Sequence, residues 1–270
     1  MKRIQTNEYS NPSKIIGVQF SMLSPDEIRK TSVVEVVGRD TFGGLSDPKM
    51  GVLEHGFYCP TDGLSHIDSP GYFGHMEMAM PVFFIQHIKE IFKILKVVCY
   101  KCSKLLINKQ KYKNISEMKA EDRWAFINGM KFISRCGDEN EDGCGCKQPN
   151  MRNVGFASVE AVWDNIVTRI ENDTIVKENV TQKMTPDKVY KILKRISNED
   201  VQFIGFSPVW SRPEWMICQV LPIPPPTVRP SVKHDAQQRS EDDLTLIYMS
   251  VLKYNNILKD KIASNASSII

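Results

Sequence analysis

Five of the seven cysteines fall into two short stretches, and this grouping limits what the chain can fold into more than any other feature. The seven are Cys59, Cys99, Cys102, Cys136, Cys144, Cys146 and Cys218. "VVCYKCSKLL" is a C-x2-C knuckle, from which two sulfurs can reach one ion. "SRCGDENEDGCGCKQP" adds Cys136 and the close pair Cys144/Cys146. The odd cysteine count, and the lack of a secretory apolar segment in "MKRIQTNEYSNPSKII", argue against a disulfide framework and for an intracellular chain. Structural zinc takes four tetrahedral ligands from Cys and His, and these two loops can supply them. Isolated cysteines are one alternative. A redox C-x2-C is another, but it would want a helix N-terminus after a strand and no second cysteine pair. Lys101, Lys104, Arg135 and Lys147 flank the thiols and can offset the charge of four thiolates.

A chain of 270 residues is one large domain or two small ones, and 41% hydrophobic residues suffice for a core. The most apolar run, "MPVFFIQHIKEIFKIL", is interrupted by His87, Lys89, Glu90 and Lys93, so no membrane span is expected. A net charge of +3 permits contact with nucleic acid without arguing for it.

Local signals place several elements. "LSPDEIRKTSV" reads as a helix capped by Ser24, with Pro25 in its first position. "FGGLSDPKMG" is a turn-rich link. Ile85, Ile88, Phe92 and Leu95 define an amphipathic helix that ends at the cysteine knuckle. "NISEMKAEDRWAFINGMKFISRC" reads as helical and delivers Cys136. "FASVEAVWDNIVTRIENDTIVKENVTQ" reads as strands with a hairpin at "ENDT". "TPDKVYKILKRIS" is a helix started by Thr185 and Pro186, with Val189, Ile192, Leu193 and Ile196 as its apolar face. "PIPPPTVRP" cannot be helix or inner strand and is expected to be stiff and extended. "SEDDLTLIYMSVLKYNNILKDKI" is a last helix with Ser240 as its cap, and "ASNASSII" is a frayed tail.

No enzyme signature emerges from these residues. "FGGL" lacks the Lys-Ser/Thr of a phosphate loop, no D-x-D carboxylate cluster is present, and His75 and Asp62 are too isolated for a triad. The residues alone give an α+β, zinc-stapled chain.

Longer stretches carry a resemblance: "GVQFSMLSPDEIRKTSV", "FGGLSDPKMGVLE", "PGYFGHMEMAMPVF", "VVCYKCSKLLI", "CGCKQPNMR", "IGFSPVWSRPEWMICQVLPIPPPTVRPSV" and "QQRSEDDLT…YNNILK". They resemble the N-terminal part of the largest subunit of multisubunit DNA-directed RNA polymerase, most closely the polymerase II type. The resemblance implies an α+β fold comprising the zinc-stapled clamp head and part of the clamp core, incomplete as a domain. Residues 1–211 would be the head and core region with its zinc site. Residues 212–270 would be the Pro-rich segment, the lid loop and the following helix. The clamp closes over DNA and the RNA–DNA hybrid during transcription.

The family's first zinc site has the order C-x2-C-x6-C-x2-H, and here Cys59, Asp62, Ser69 and Tyr72 stand in those places. A thiol and a carboxylate do not hold structural zinc, so "SPGYFGH" reads as the remnant of a site. Packing of Tyr72 and Phe73 would replace the staple, and His75 would be structural. The second site would be intact, holding one structural zinc through Cys99, Cys102, Cys136 and Cys144, with Cys146 as an alternate ligand. The lost ligands point to a divergent member, such as one encoded by a large DNA virus, acting in a virion or viral factory if not in a nucleus.

The resemblance also implies a lid from Pro230 to Asp242 at the upstream end of the hybrid, with Arg229, Lys233, His234 and Arg239 turned to nucleic acid. From composition alone, a plain linker is an equal reading of this segment. The catalytic Mg2+ would belong to the holoenzyme, because the family's aspartate triad lies later in the subunit. The chain alone would therefore be inactive. Its partners would be the second-largest subunit, the rest of the largest subunit, the DNA template and the hybrid, with no membrane. Leu246, Val251 and Leu252 would then await a packing partner. The alternative is a free-standing zinc-binding module that binds DNA or a transcription partner.

Overall fold

Local capping chemistry decides where the first helix begins. The computed structural model describes residues 14–18, 20–38, 41–131, 133–138, 142–155, 158–171, 174–233 and 239–264. Helix α1 spans Pro25–Thr31 and opens with a complete capping box. The Ser24 hydroxyl accepts from the Glu27 N–H at 3.2 Å, and the Glu27 carboxylate accepts from the Ser24 N–H at 2.8 Å. α4 (Pro186–Lys194) starts after Thr185 and buries Val189, Ile192 and Leu193, as its spacing predicts, but the Thr185 side chain, expected to cap it, makes no capping hydrogen bond. α2 (Ile88–Val97) starts three residues later than the apolar spacing suggests. Ile85–His87 form a 3₁₀ turn that leaves Ile85 exposed. α3 covers only Ala120–Gly129, and the segment that delivers Cys136 lies beyond its end.

Two elements depart further from the sequence reading. α5 (Asn198–Ile204) is too short for periodicity to reveal. Its sequence signal is Ser197, whose hydroxyl accepts from the Asp200 N–H at 3.1 Å. The last helix, α6 (Asp243–Ala263), is capped by Asp242 and not by Ser240. Ser240 sits too early, in a strand, while the Asp242 carboxylate accepts the Leu244 N–H at 2.9 Å. Residues 265–270 of the expected tail lie outside the described residues.

Strands β2 (Asn150–Asn153), β3 (Val159–Glu171) and β4 (Thr174–Met184) form one antiparallel sheet in the order 2-3-4. Glu171 pairs with Thr174, so a hairpin closes at "ENDT", although residues 172 and 173 lie outside the described residues. β1 (Gly74–Phe83) is the apolar half of the "SPGYFGHMEMAMPVFF" stretch. It pairs antiparallel with β5 (Ile217–Ile223), from Gly74↔Ile223 to Phe83↔Ile217. Pro222 is tolerated opposite His75 because His75 turns its N–H and carbonyl outward to Val34 and Val36, so the pair exchanges no bond across the ribbon. The Pro-rich segment is extended only up to Ile223. It then turns, with the N–H groups of Val228 and Arg229 bonding the carbonyls of Pro225 and Pro226. Gly71 (φ +81°) lies so close to this turn that a Cβ there would sit 2.7 Å from Pro225 and Thr227. Ile217–Ile223 thus share a ribbon with Gly74–Phe83.

The ribbon feeds two cores. At one end Phe83 and Ile217 join Ile91, Ile94, Ile127, Val189, Leu193 and Ile204. At the other, Met76 and Ile223 join Val36, Leu45, Met50 and Leu252. Leu252, expected to lack a partner, is thus buried within the chain, and Val251 packs against the same cluster. Leu246 is 50% exposed, and Ile247, Tyr254 and Leu258 are exposed beside it. With Met78, Met80 and Val82 of β1 they line a groove of about 520 Å³.

α6 also repairs β1. The pairing of β1 is irregular between Glu77 and Val82, which strands backbone groups there. Asn255, 4% exposed, donates to the Glu77 carbonyl and accepts from the Ala79 N–H, both at 2.8 Å. Asn255→Leu leaves both groups buried and unpaired, and should lower stability by about 2–4 kcal/mol in urea unfolding. A loss under about 0.5 kcal/mol would show that water serves the bulge equally well.

Candidate metal centre

Two β-like loops carry the thiols. In the first, the Cys99 N–H bonds the Lys104 carbonyl at 2.8 Å and the Ser103 N–H bonds the Cys99 carbonyl at 3.0 Å, which closes the knuckle. In the second, the Cys136 N–H bonds the Cys146 carbonyl and the Gly145 N–H bonds the Cys136 carbonyl, both at 2.9 Å. Gly143 lets this loop fold on itself, since a Cβ there would lie 2.1 Å from the Gly137 Cα.

The loops bring the sulfurs of Cys99, Cys102, Cys136 and Cys144 within 4.8 Å of one another. Cys99 and Cys144 are 3.6 Å apart, and Cys102 and Cys136 are 3.7 Å apart. Bonds of about 2.3 Å in a tetrahedron place sulfurs about 3.8 Å apart, so the donor set and its spacing fit a metal ion held by four thiolates. The Cys146 sulfur is not in the cluster; Cys146 gives its carbonyl to the Cys136 N–H and to the Gln148 amide. Burial pushes the Cys136 thiol up to about 12 and raises that of Cys102 as well. Burial also opposes ionisation of Cys144, but the Cys146 N–H and the neighbouring thiols outweigh it and bring Cys144 to about 7.

Gln148 is the supporting residue that sequence reading missed, although "CGCKQP" contains it. Its amide N–H donates to the Cys99 sulfur at 3.2 Å and to the Cys146 carbonyl at 2.8 Å, while its oxygen accepts from the Tyr100 N–H at 2.9 Å. One side chain thus ties both loops together behind the sulfurs. Among the flanking cations, Lys104 donates to the Asp142 carbonyl and Lys147 to the Asp164 carbonyl, so both also serve to pin the loops.

Cys59, Asp62, Ser69 and Tyr72 also converge, but as a hydrogen-bonded knot. The Asp62 carboxylate accepts from the Ser69 hydroxyl at 2.8 Å, the Tyr72 hydroxyl at 3.0 Å and the Leu64 N–H at 2.8 Å. The buried Cys59 thiol donates to the Lys49 carbonyl at 3.7 Å. Phe73 is 50% exposed, so hydrogen bonds to Asp62, and not apolar packing of Phe73, hold this loop. His75 faces inward, with Nδ1 2.7 Å from the Ser32 hydroxyl.

The family model described as RNA polymerase Rpb1, domain 1, matches residues 12–270. The chain belongs to that family. It is 35% identical over 97% of its length to the DNA-directed RNA polymerase subunit Rpo1N of Methanocaldococcus jannaschii, covering 20% of that protein. It is 37% identical over 99% of its length to the DNA-directed RNA polymerase II subunit RPB1 of Euplotoides octocarinatus, covering 58% of it. Rpo1N of Sulfolobus acidocaldarius is 35% identical over 95% of the chain, which covers 29% of that relative. None of the three is a viral protein, so they lend no support to a virus-encoded source. No helix among the described residues is long and apolar enough to cross a membrane.

The residues that the Rpb1 resemblance assigns to nucleic acid meet different fates. Arg229 is 3% exposed, and its guanidinium is consumed internally. It donates to the carbonyls of Pro224 (3.0 Å) and Leu45 and to the Thr245 hydroxyl (3.3 Å), so it is a tie within the fold and not a free phosphate contact. Val232–Lys233 (β6) pairs with Arg239–Ser240 (β7) as a short antiparallel stem, with Lys233 opposite Arg239. His234 and the expected lid tip at 234–238 lie outside the described residues.

The Asp62 knot carries a pH signature. The Leu64 N–H, then the Ser69 and Tyr72 hydroxyls, hold the Asp62 carboxyl below its ordinary 3.8. A depressed folded-state value contributes stability above the unfolded value, which fades as pH falls through the folded one. Asp62→Ala should therefore lower the urea midpoint at pH 7, with the gap to the parent narrowing below about pH 3.8. A gap that stays constant down to acid pH would show that the carboxylate's charge plays no part.

Proposed function

We propose that this chain is the clamp region of the largest subunit of a DNA-directed RNA polymerase, an intracellular arm that closes over DNA and the RNA–DNA hybrid in the assembled enzyme. The observation that carries this reading is a four-thiol cluster stapling two loops in a chain that matches Rpb1 domain 1 along nearly its whole length. The cluster would hold one structural zinc through Cys99, Cys102, Cys136 and Cys144. Bound there, zinc supplies cross-linking and no chemistry of its own, since four protein ligands leave no open position. The residues around it do the positioning: Gln148 orients Cys99, while Lys104 and Lys147 pin the second loop.

At Asp62 we propose the opposite solution, a loop held without metal. A carboxylate with three donors on it can replace a cross-link between neighbouring turns, and one thiol with two hydroxyls offers zinc a poor donor set.

The Pro230–Asp242 segment would be the lid. Its base is fixed by Arg229 and by the turn that follows Ile223, and Val232–Lys233 pairs with Arg239–Ser240 above it; Lys233, His234 and Arg239 would contact phosphates. The exposed groove between β1 and α6 favours assembly over a free-standing module. Contiguous apolar surface of this kind belongs under a partner, and the chain spans 20–58% of the length of the relatives it matches. The partners would be the rest of the largest subunit and the second-largest subunit. Catalytic Mg2+ would be held elsewhere in the holoenzyme, and the chain alone would make no RNA.

Co-purification with the second-largest subunit and the remainder of the largest one tests the assignment. Elemental analysis should give one zinc per chain. Cys144→Ser should abolish tight binding, Cys146→Ser should not, and Gln148→Ala should weaken zinc about 10–100-fold. Two zincs per chain would defeat the metal-free reading of Asp62. Template-directed synthesis by the purified chain would defeat the fragment reading.

A further inference from the structure

The second thiol of the C-G-C pair is the cysteine of this region that the metal centre does not use. Cys146 is partly exposed, and its sulfur lies outside the four-sulfur cluster. Among the described residues that sulfur makes no hydrogen bond. Cys144, two residues earlier, is the exposed member of the cluster, while Cys99 and Cys136 are buried. An oxidant arriving from solvent therefore meets Cys144 before the buried sulfurs, with a free thiol close by in the chain.

Backbone geometry holds the pair in reach. Across two residues the Cα atoms are at most about 7 Å apart when extended. Gly145 between them turns in the left-handed region at φ +70°. That turn draws the span below the extended limit, toward the roughly 4.4–6.8 Å that a disulfide needs. The Gly145 N–H bonds the Cys136 carbonyl and the Cys136 N–H bonds the Cys146 carbonyl, both at 2.9 Å, the pattern of a glycine-led bulge. The bulge fixes the turn through backbone groups alone. The Cys144 sulfur also accepts from the Cys146 N–H, so it already lies over the Cys146 backbone. Rotation of the Cys146 side chain is the movement left to make.

Cys102 is the competing partner, since its sulfur also lies within 4.8 Å of that of Cys144. It belongs to the cluster, however, and a sulfur engaged as a metal ligand is not free to attack a neighbour. Cys146 is under no such constraint.

We propose that Cys144 and Cys146 form a reversible disulfide when the chain meets a hydroperoxide, and that this opens the metal staple. The inference rests on the zinc reading above and goes beyond it. In the first step the Cys144 thiolate attacks the peroxide. The O–O bond breaks, one oxygen stays on sulfur as a sulfenic acid, and the other leaves as hydroxide. In the second step the Cys146 sulfur attacks that of Cys144. The S–O bond breaks, the S–S bond forms, and the departing hydroxide takes the Cys146 proton to leave as water. The sulfurs together give up two electrons, and one peroxide is reduced. Three thiols then remain where a closed metal site needs four ligands. Disulfides inside cells are for the most part transient and redox-sensing, and a thiol reductant returns this one to two thiols.

The test uses the 270-residue chain loaded with zinc, hydrogen peroxide as the oxidant, and a chromogenic chelator to follow the metal. Cleavage after Arg135, Glu141 and Lys147 isolates residues 142–147, whose only cysteines are Cys144 and Cys146. In the parent, zinc release should keep pace with the appearance of that peptide as its internal disulfide. Dithiothreitol with added zinc should then restore one zinc per chain. Cys146→Ser should bind zinc as the parent does before oxidation. After peroxide its Cys144 has no resolving thiol and proceeds to sulfinic acid, which reductant does not reverse. Its recovered zinc should therefore fall about fivefold or more below that of the parent. Cys146→Ala should repeat this result, and circular dichroism confirms that both variants fold.

Equal recovery in Cys146→Ser and the parent would overturn the proposal. So would a disulfide mapped to Cys99, Cys102 or Cys136, or zinc retained at peroxide concentrations that oxidise glutathione. A parent that holds no zinc before peroxide defeats the zinc reading and takes this inference with it. One zinc at the start, with no Cys144–Cys146 disulfide afterwards, removes this inference alone.

Discussion

The pairing of β1 with β5 is the constraint on which the rest depends. Gly74–Phe83 meets Ile217–Ile223 across about 140 residues of chain, and each end of the ribbon enters a different core. Closing so long a loop costs entropy before any contact is made. What offsets it is burial at both ends: Phe83 and Ile217 against α2 and α4, Met76 and Ile223 against Met50 and Leu252. The irregular middle of β1 is tolerated because Asn255 of α6 supplies the bonds that the partner strand does not. The metal centre and the Pro-rich base hang from opposite ends of this spine, so their relative placement is set by its register.

At the second core the polar tie is Arg229. Burying a guanidinium is costly unless its donors are met, and here two carbonyls and a hydroxyl from three separate segments meet them. One residue thereby joins the turn after Ile223, the loop at Leu45 and the first turn of α6. Such a tie gives the hairpin that follows a fixed base, which a string of prolines alone would not, because proline sets φ but does not anchor the segment to anything.

The two cysteine-derived loops show two ways to close a turn-rich segment with little core of its own. At Cys99, Cys102, Cys136 and Cys144 the sulfurs crowd to distances that suit a shared cation, while burial raises the thiols of Cys102 and Cys136. At Asp62 a single anion gathers the donors of Leu64, Ser69 and Tyr72. The first solution links segments some forty residues apart, whereas the second links only near neighbours, where hydrogen bonds have little loop entropy to overcome.

Spacing and capping made much of this legible in the chain itself. Ser24 with Glu27 starts a helix where it should, because a cap is chemistry between residues three apart, and Pro186 opens α4 with its preset φ although Thr185 makes no capping bond. The knuckle and the second cysteine loop were visible for the same reason. The resemblance reached the family, which residues 12–270 match. Only the tertiary structure decided the remainder. Cys144 and not Cys146 has its sulfur in the cluster, a choice that two thiols so close in the chain leave open in the sequence. Ser240 lost the cap of α6 to Asp242 because it was drawn into a strand. Arg229 read as a nucleic-acid contact, but carbonyls of Pro224 and Leu45 hold it buried, and nothing local showed that β1 pairs with a strand far along the chain. Local hydrogen bonds can be read from neighbours in sequence, while pairing and burial depend on residues that meet only when the chain has closed.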